Sequence, residues 1–215
     1  MDKKTKLYLA SGIVGCWLFI IVFLIEGATR VGYSSFRYPI SSLSIGDLGW
    51  IQIINFILSG TLIFLLALGL RLALKPSKSS IWIPRLIGAV GLGLIGAGIF
   101  STDPAFGYPA TSPLAIAQFT VHGHLHDLFS IFVFACLPIA CFEFRKRFKA
   151  NGNRGWSIYS LISAIAFIIT FLLAGIGFKQ ITGFIEFAGI FQRLCIIIGF
   201  TWMTMIALFL IKTTK

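Results

Sequence analysis

The sequence predicts an all-α, polytopic membrane protein: a single integral membrane domain over residues 1–215, built as a bundle of six transmembrane helices with both termini cytoplasmic. Three observations predict it. Of the 215 residues 57% are hydrophobic and only 12% are charged, whereas soluble domains carry about 25% charged residues. The hydrophobic residues gather in six runs of the length needed to cross about 30 Å of hydrocarbon as a helix, which takes about 20 residues. The basic residues lie in short blocks between those runs, and the net charge of +11 therefore reads as the positive-inside signal. No contiguous basic surface with an aromatic reading motif accompanies it, so nucleic acid is excluded as a partner.

The first run, at about 7–25, follows Lys3, Lys4 and Lys6. It is too long for the apolar region of a secretory signal and no small-residue cleavage site follows it, so it reads as an uncleaved helix. A Gly- and Ser-rich outer loop leads to the second span, at about 50–74, whose outer half carries Gln52, Asn55 and Ser59 at three- and four-residue spacing. These share one helix face, and in lipid that face must turn into the bundle or a wet cavity. The third span, at about 82–100, places Ala89, Gly93 and Ala97 four apart, a small-residue seam for close helix approach. A proline-rich outer loop (101–120) precedes the fourth span, at about 125–142, in which Pro138 is the expected kink. The fifth and sixth spans are expected at about 156–176 and 189–211.

Counting charges tests the orientation. Lys3, Lys4, Lys6, Arg71, Lys75, Lys78, Arg85, Arg145, Lys146, Arg147, Lys149, Arg154, Lys212 and Lys215 fall in inner segments, 14 of 18 basic residues, against Arg30, Arg37, Lys179 and Arg193 outside. This places both termini in the cytoplasm. Acidic residues show the opposite bias, with Glu26, Asp47, Asp103, Asp127 and Glu186 outside. Cys16, Cys136, Cys141 and Cys195 all lie in apolar runs without metal-type spacing and read as small core residues.

The densest polar stretch is VHGHLHD, residues 121–127, which holds all three histidines. On a helix, His122, His126 and Ser130 share a face, while His124 and Asp127 lie on another. An H-x-x-x-H pair on one face is a metal-ligand spacing that takes a third ligand from elsewhere. Asp103 or Glu26 could supply it, and a bound divalent ion such as zinc would make a nucleophile of its water. Two other readings stand beside that one: hydrogen bonding that braces the loops, and proton-linked switching. Asp103, His122 and His126 are thus the candidates for catalysis or metal binding. Glu26, Arg37, Asn55, Asp127 and Arg193 are the candidates for binding a ligand, although Arg193 also reads as the ion-pair partner of Glu186. Ser41, Ser42 and Ser44 read as turn and cap residues, there being no nucleophile-elbow motif.

The segments RVGYSSFRYPISSLSIGDLGWIQIINFILSG, TDPAFGYP, HGHLHD, RGWSIYS and FQRL together resemble the domain of unknown function 998 family, over nearly the whole chain. Matching positions include Tyr33, Ser41, Asn55, Asp103, His122, Gly123, His126, Asp127, Gln192 and Arg193, while His124 falls at a variable one. The resemblance implies a six-span protein of a prokaryotic cell membrane and no particular reaction. Three functions therefore compete: an outward-facing pocket for a small ligand, lipid head group or ion; a membrane-embedded hydrolase or transferase, metal-dependent or not, acting on a lipid of the outer leaflet; and a structural or accessory subunit. Whether the protein is an enzyme is left open by its sequence.

Overall fold

A computed structural model describes residues 1–74, 76, 78–110, 112 and 120–213, without the side chains of Lys78 and Ser79. Lys75, Lys215 and the Lys78 side chain, all counted in the charge pattern, lie outside the described residues, as does most of the loop before residue 120. Six helices run through the chain: α1 (Lys3–Thr29), α2 (Gly49–Ala73), α3 (Lys78–Ile99), α4 (Val121–Ala150), α5 (Arg154–Phe178) and α6 (Ala188–Thr213). Each contains a stretch long and apolar enough to cross a membrane. Several overrun the apolar stretches read from sequence, because a helix need not stop where the hydrocarbon does. α4, with 30 residues, is about 45 Å long and so projects into the head-group layer on both sides.

The helices form a closed ring. Each packs against its neighbours in sequence, and α6 returns to α1. Small residues set the close approaches. A Cβ on Gly60 of α2 would lie 2.7 Å from the Gly91 carbonyl of α3, so neither helix tolerates a larger residue there without moving apart. On the other side of α3, Gly93 meets the backbone of α4 at the Phe129 carbonyl. Gly93, from the seam predicted along α3, thus serves α4, while Gly91 outside that seam serves α2.

The two ends of the bundle are filled differently. Toward the chain termini the interior is closed by rings, with Phe144 edge-on to Trp202 and Phe148 against Trp156 and Phe209. Trp202 Nε1 donates to Ser160 Oγ at 3.1 Å, which satisfies the buried indole N–H of Trp202. Toward the histidines the interior is polar. There the segment between α1 and α2 folds back over the ring and buries the 3-10 turn Ile40–Ser44, with Ile40, Ser42, Leu43 and Ser44 all buried.

Candidate functional site

Three arrangements occupy the histidine end. The first is a clamp that holds the 30–48 segment down. Arg193, 3% exposed, enters from the first turns of α6 and donates Nη1–H bonds to the carbonyls of Tyr38 (3.0 Å) and Gly189 (3.1 Å). Its Nη2 donates to the Tyr33 hydroxyl at 2.5 Å, and the guanidinium lies over the rings of Tyr33 and Phe23. Beside it, Gln192 Oε1 accepts the Ile40 N–H at 2.8 Å. A fork of fixed N–H groups suits this position because it can hold several carbonyls at once. Tyr33 in turn donates toward the Tyr38 and Pro39 carbonyls and packs with Tyr38 and Tyr108. Burial pushes its phenol from 10.0 up to about 12, with the Arg193 cation opposing that rise.

The expected Arg193–Glu186 pair is not formed. Glu186 instead lies 3.7 Å from Arg37 Nη1, because the folded-back segment carries Arg37 over to the loop before α6 and Arg193 is already committed below. Glu26 pairs with Arg30 one turn along α1, and Arg30 also donates to the carbonyls of Ile45 and Leu48. One oxygen of Glu26, the Arg193 Nε and the Gln52 Nε2 are buried without a partner among the described residues.

The second arrangement is the start of α4. Thr120 is its N-cap, accepting the Gly123 N–H at 3.0 Å, and Asp103 holds Thr120 by both groups, accepting Thr120 N–H at 2.9 Å and Thr120 Oγ1–H at 2.6 Å. Gly123 is required here, since a Cβ would overlap the Asp103 carboxylate. A buried carboxylate at a helix N-terminus also meets the positive end of the helix dipole. The cap explains why α4 begins at Val121 and takes in all the histidines.

The third is an axial cavity of about 40 Å³ inside the ring, lined by Phe19 of α1, Ile40 and Ser41 of the folded-back turn, Phe56 of α2, Leu94 and Ala97 of α3, His126, Ser130, Val133 and Phe134 of α4, and Gln192 and Ile196 of α6. His126 is its one ionisable residue. Its Nδ1 sits 3.0 Å from the Ala97 carbonyl and 2.9 Å from that of Phe100. Both oxygens end α3 and can only accept, so Nδ1 carries a proton, and in the neutral ring Nε2 is then the acceptor nitrogen. The ring thus caps α3, whose last carbonyls lack helical partners. Along α2, Asn55 donates to the Phe19 carbonyl and to Gln52 Oε1 and accepts from Ser59, a buried chain that fixes the neighbouring wall.

The sequence candidates are therefore divided. His126 faces the cavity, while His122 stays on the rim with its ring edge-on to Phe100. His124 is exposed on the other side of α4. Asp103 is spent on the cap, Glu26 on Arg30 and Arg193 on the clamp. Among the described residues no group of three or more His, Cys, Asp and Glu could hold a metal ion. Gln192 and Ser41 line the cavity although the sequence singled neither out as a binding group. Both stand among the positions that carry the family resemblance, and that was the signal that could have found them.

Six membrane-crossing helices closed into a ring over a polar-ended interior define a multi-pass integral membrane protein. The chain belongs to the family described as protein of unknown function (DUF998), whose model matches residues 13–208. No curated protein and no solved structure matches it.

Proposed function

We propose that the protein is a membrane-embedded binding protein whose axial cavity receives an uncharged, hydroxyl-bearing group, such as the terminus of a glycerol head group, at the extracytoplasmic end of the bundle. The observation that carries this is the composition of the cavity. His126 Nε2 offers an acceptor, Gln192 retains its amide N–H donors because its oxygen is taken by Ile40, and Ser41 and Ser130 offer hydroxyls that do either. A hydroxyl both donates and accepts, and it meets this set without a charge to desolvate. No carboxylate, lysine or arginine lines the cavity, which disfavours a phosphate or a free cation as the occupant. Its size suits about three water-sized groups, hence the end of a head group rather than a whole lipid. The extracytoplasmic placement rests on the distribution of basic residues.

The experiment compares two lipids with the same acyl chains, phosphatidylglycerol and phosphatidic acid, added to protein in an amine-oxide detergent and read by native mass spectrometry. Phosphatidylglycerol is expected to be retained in preference. Ala97→Val, which puts two further methyl groups into the cavity, is expected to remove that preference. Equal retention of the two lipids, or an unchanged preference in the filled variant, refutes the reading.

A further inference from the structure

α5 is the one helix that contributes nothing to the axial cavity, and its seam with α4 opens outward. Near the histidine end a groove of about 350 Å³ runs between the two, walled by Ser130, Ile131, Phe134 and Ala135 of α4 and Phe171 of α5, with Asp127 at its head. Phe134 and Phe171 stack at 4.6 Å to form its floor. Ser130 and Phe134 are shared with the axial cavity, but the groove faces the bilayer: Leu128 and Ile131 beside it are 51% and 58% exposed.

Asp127 is out of place on that surface. It lies six residues into a 30-residue helix, two residues inside the apolar span that begins at about residue 125, which is about 3 Å by the helical rise. The carboxylate is therefore held at the boundary between head groups and acyl chains. It is exposed and forms no hydrogen bond or ion pair with any described residue. Charged groups at such depth are costly unless paired or in use, and beside the neighbouring His124 and His126 a lipid head-group amine is a cation that can pair with it from the bilayer.

We infer that this groove binds a phospholipid with a primary-amine head group, the ammonium donating to Asp127 and one acyl chain lying along Ile131, Phe134, Ala135 and Phe171. The site is a second one beside the axial cavity, with Ser130 and Phe134 common to both walls. Phosphatidylethanolamine and its N-acetylated derivative, with the same acyl chains, are the two ligands for the test, again by native mass spectrometry of the full chain in an amine-oxide detergent. The wild type is expected to prefer the free amine by about tenfold, the scale of one charge-assisted hydrogen bond. The net charge of +11 favours the N-acetylated, anionic lipid, so a preference for the amine cannot come from bulk attraction. Asp127→Asn is expected to abolish the preference, and Ala135→Trp, which fills the groove, to lower retention of both lipids. Ala97→Val is expected to leave the preference intact, so failure of the groove and failure of the cavity are distinguishable. No preference in the wild type overturns the proposal through the lipid alone, even should a variant fail to fold. Preference that survives in Asp127→Asn overturns it as well.

Discussion

Arg193→Met should open the 30–48 segment without unfolding the bundle. The guanidinium holds two carbonyls and one hydroxyl, and hydrogen bonds to charged groups contribute about 1.5–3 kcal/mol each. Methionine occupies much of the same space and leaves no buried charge behind. Tyr33 also keeps its contacts with the Tyr38 and Pro39 carbonyls at 3.2 and 2.9 Å. All three guanidinium bonds are then lost, two of them to the 30–48 segment and one to Gly189 of α6 itself, a net cost of about 3 kcal/mol after the relief of desolvating a buried cation. That corresponds to about a hundredfold more frequent opening. Hydrogen exchange reads it locally. Amides of residues 36–45, including the Ile40 N–H on Gln192, should exchange about a hundredfold faster, while α2 and α3 keep their protection. Arg193→Lys, which retains the charge but loses the fork, should fall between the two. Unchanged exchange over 36–45 in Arg193→Met would refute the clamp. Equal acceleration throughout the helices would show that Arg193 supports the whole bundle instead.

Two further outcomes are expected. Thr120→Val removes the α4 N-cap and both side-chain partners of that hydroxyl, Gly123 N–H and the Asp103 carboxylate. Thermal stability in detergent should fall by about 1–2 kcal/mol, with faster amide exchange at 121–124, and an unchanged melting curve would contradict the assigned role of Asp103. Tyr33 should titrate near its raised value of about 12 rather than 10.0 in an ultraviolet pH titration compared with Tyr33→Phe. Unfolded, the phenol ionises near its ordinary value, so the stability it contributes is complete below about pH 10 and is lost as pH rises toward 12. A single tyrosine transition at the ordinary value would contradict its burial against Arg193.

Much of the architecture was open to sequence reasoning because bilayer thickness restricts what a span can be. Apolar length alone located six helices, and the three- and four-residue spacing of Gln52, Asn55 and Ser59 placed that polar ladder inside the ring. The same spacing separated His126 from His124. Asp103 was harder to read, since its partner Thr120 is seventeen residues away and the capping role depends on the path of the intervening loop. The charges were paired by proximity in sequence, which joined Arg193 to Glu186. In the fold the 30–48 segment doubles back and brings Tyr33, Tyr38 and Arg37 into competition for both. The cavity was hidden for a similar reason, because its wall is drawn from five helices and the folded-back turn, none of which carries more than a few of its groups.

The state of His126 tests the central claim most directly. With Nδ1 held by two carbonyls, nitrogen NMR of histidine-labelled protein in bilayer discs should find the neutral form of His126 protonated at Nδ1 with Nε2 bare. Phosphatidylglycerol in the disc should then shift the Nε2 resonance relative to phosphatidic acid, and should not do so in Ala97→Val. An Nε2-protonated ring, or an Nε2 resonance indifferent to the hydroxyl head group, would contradict the account.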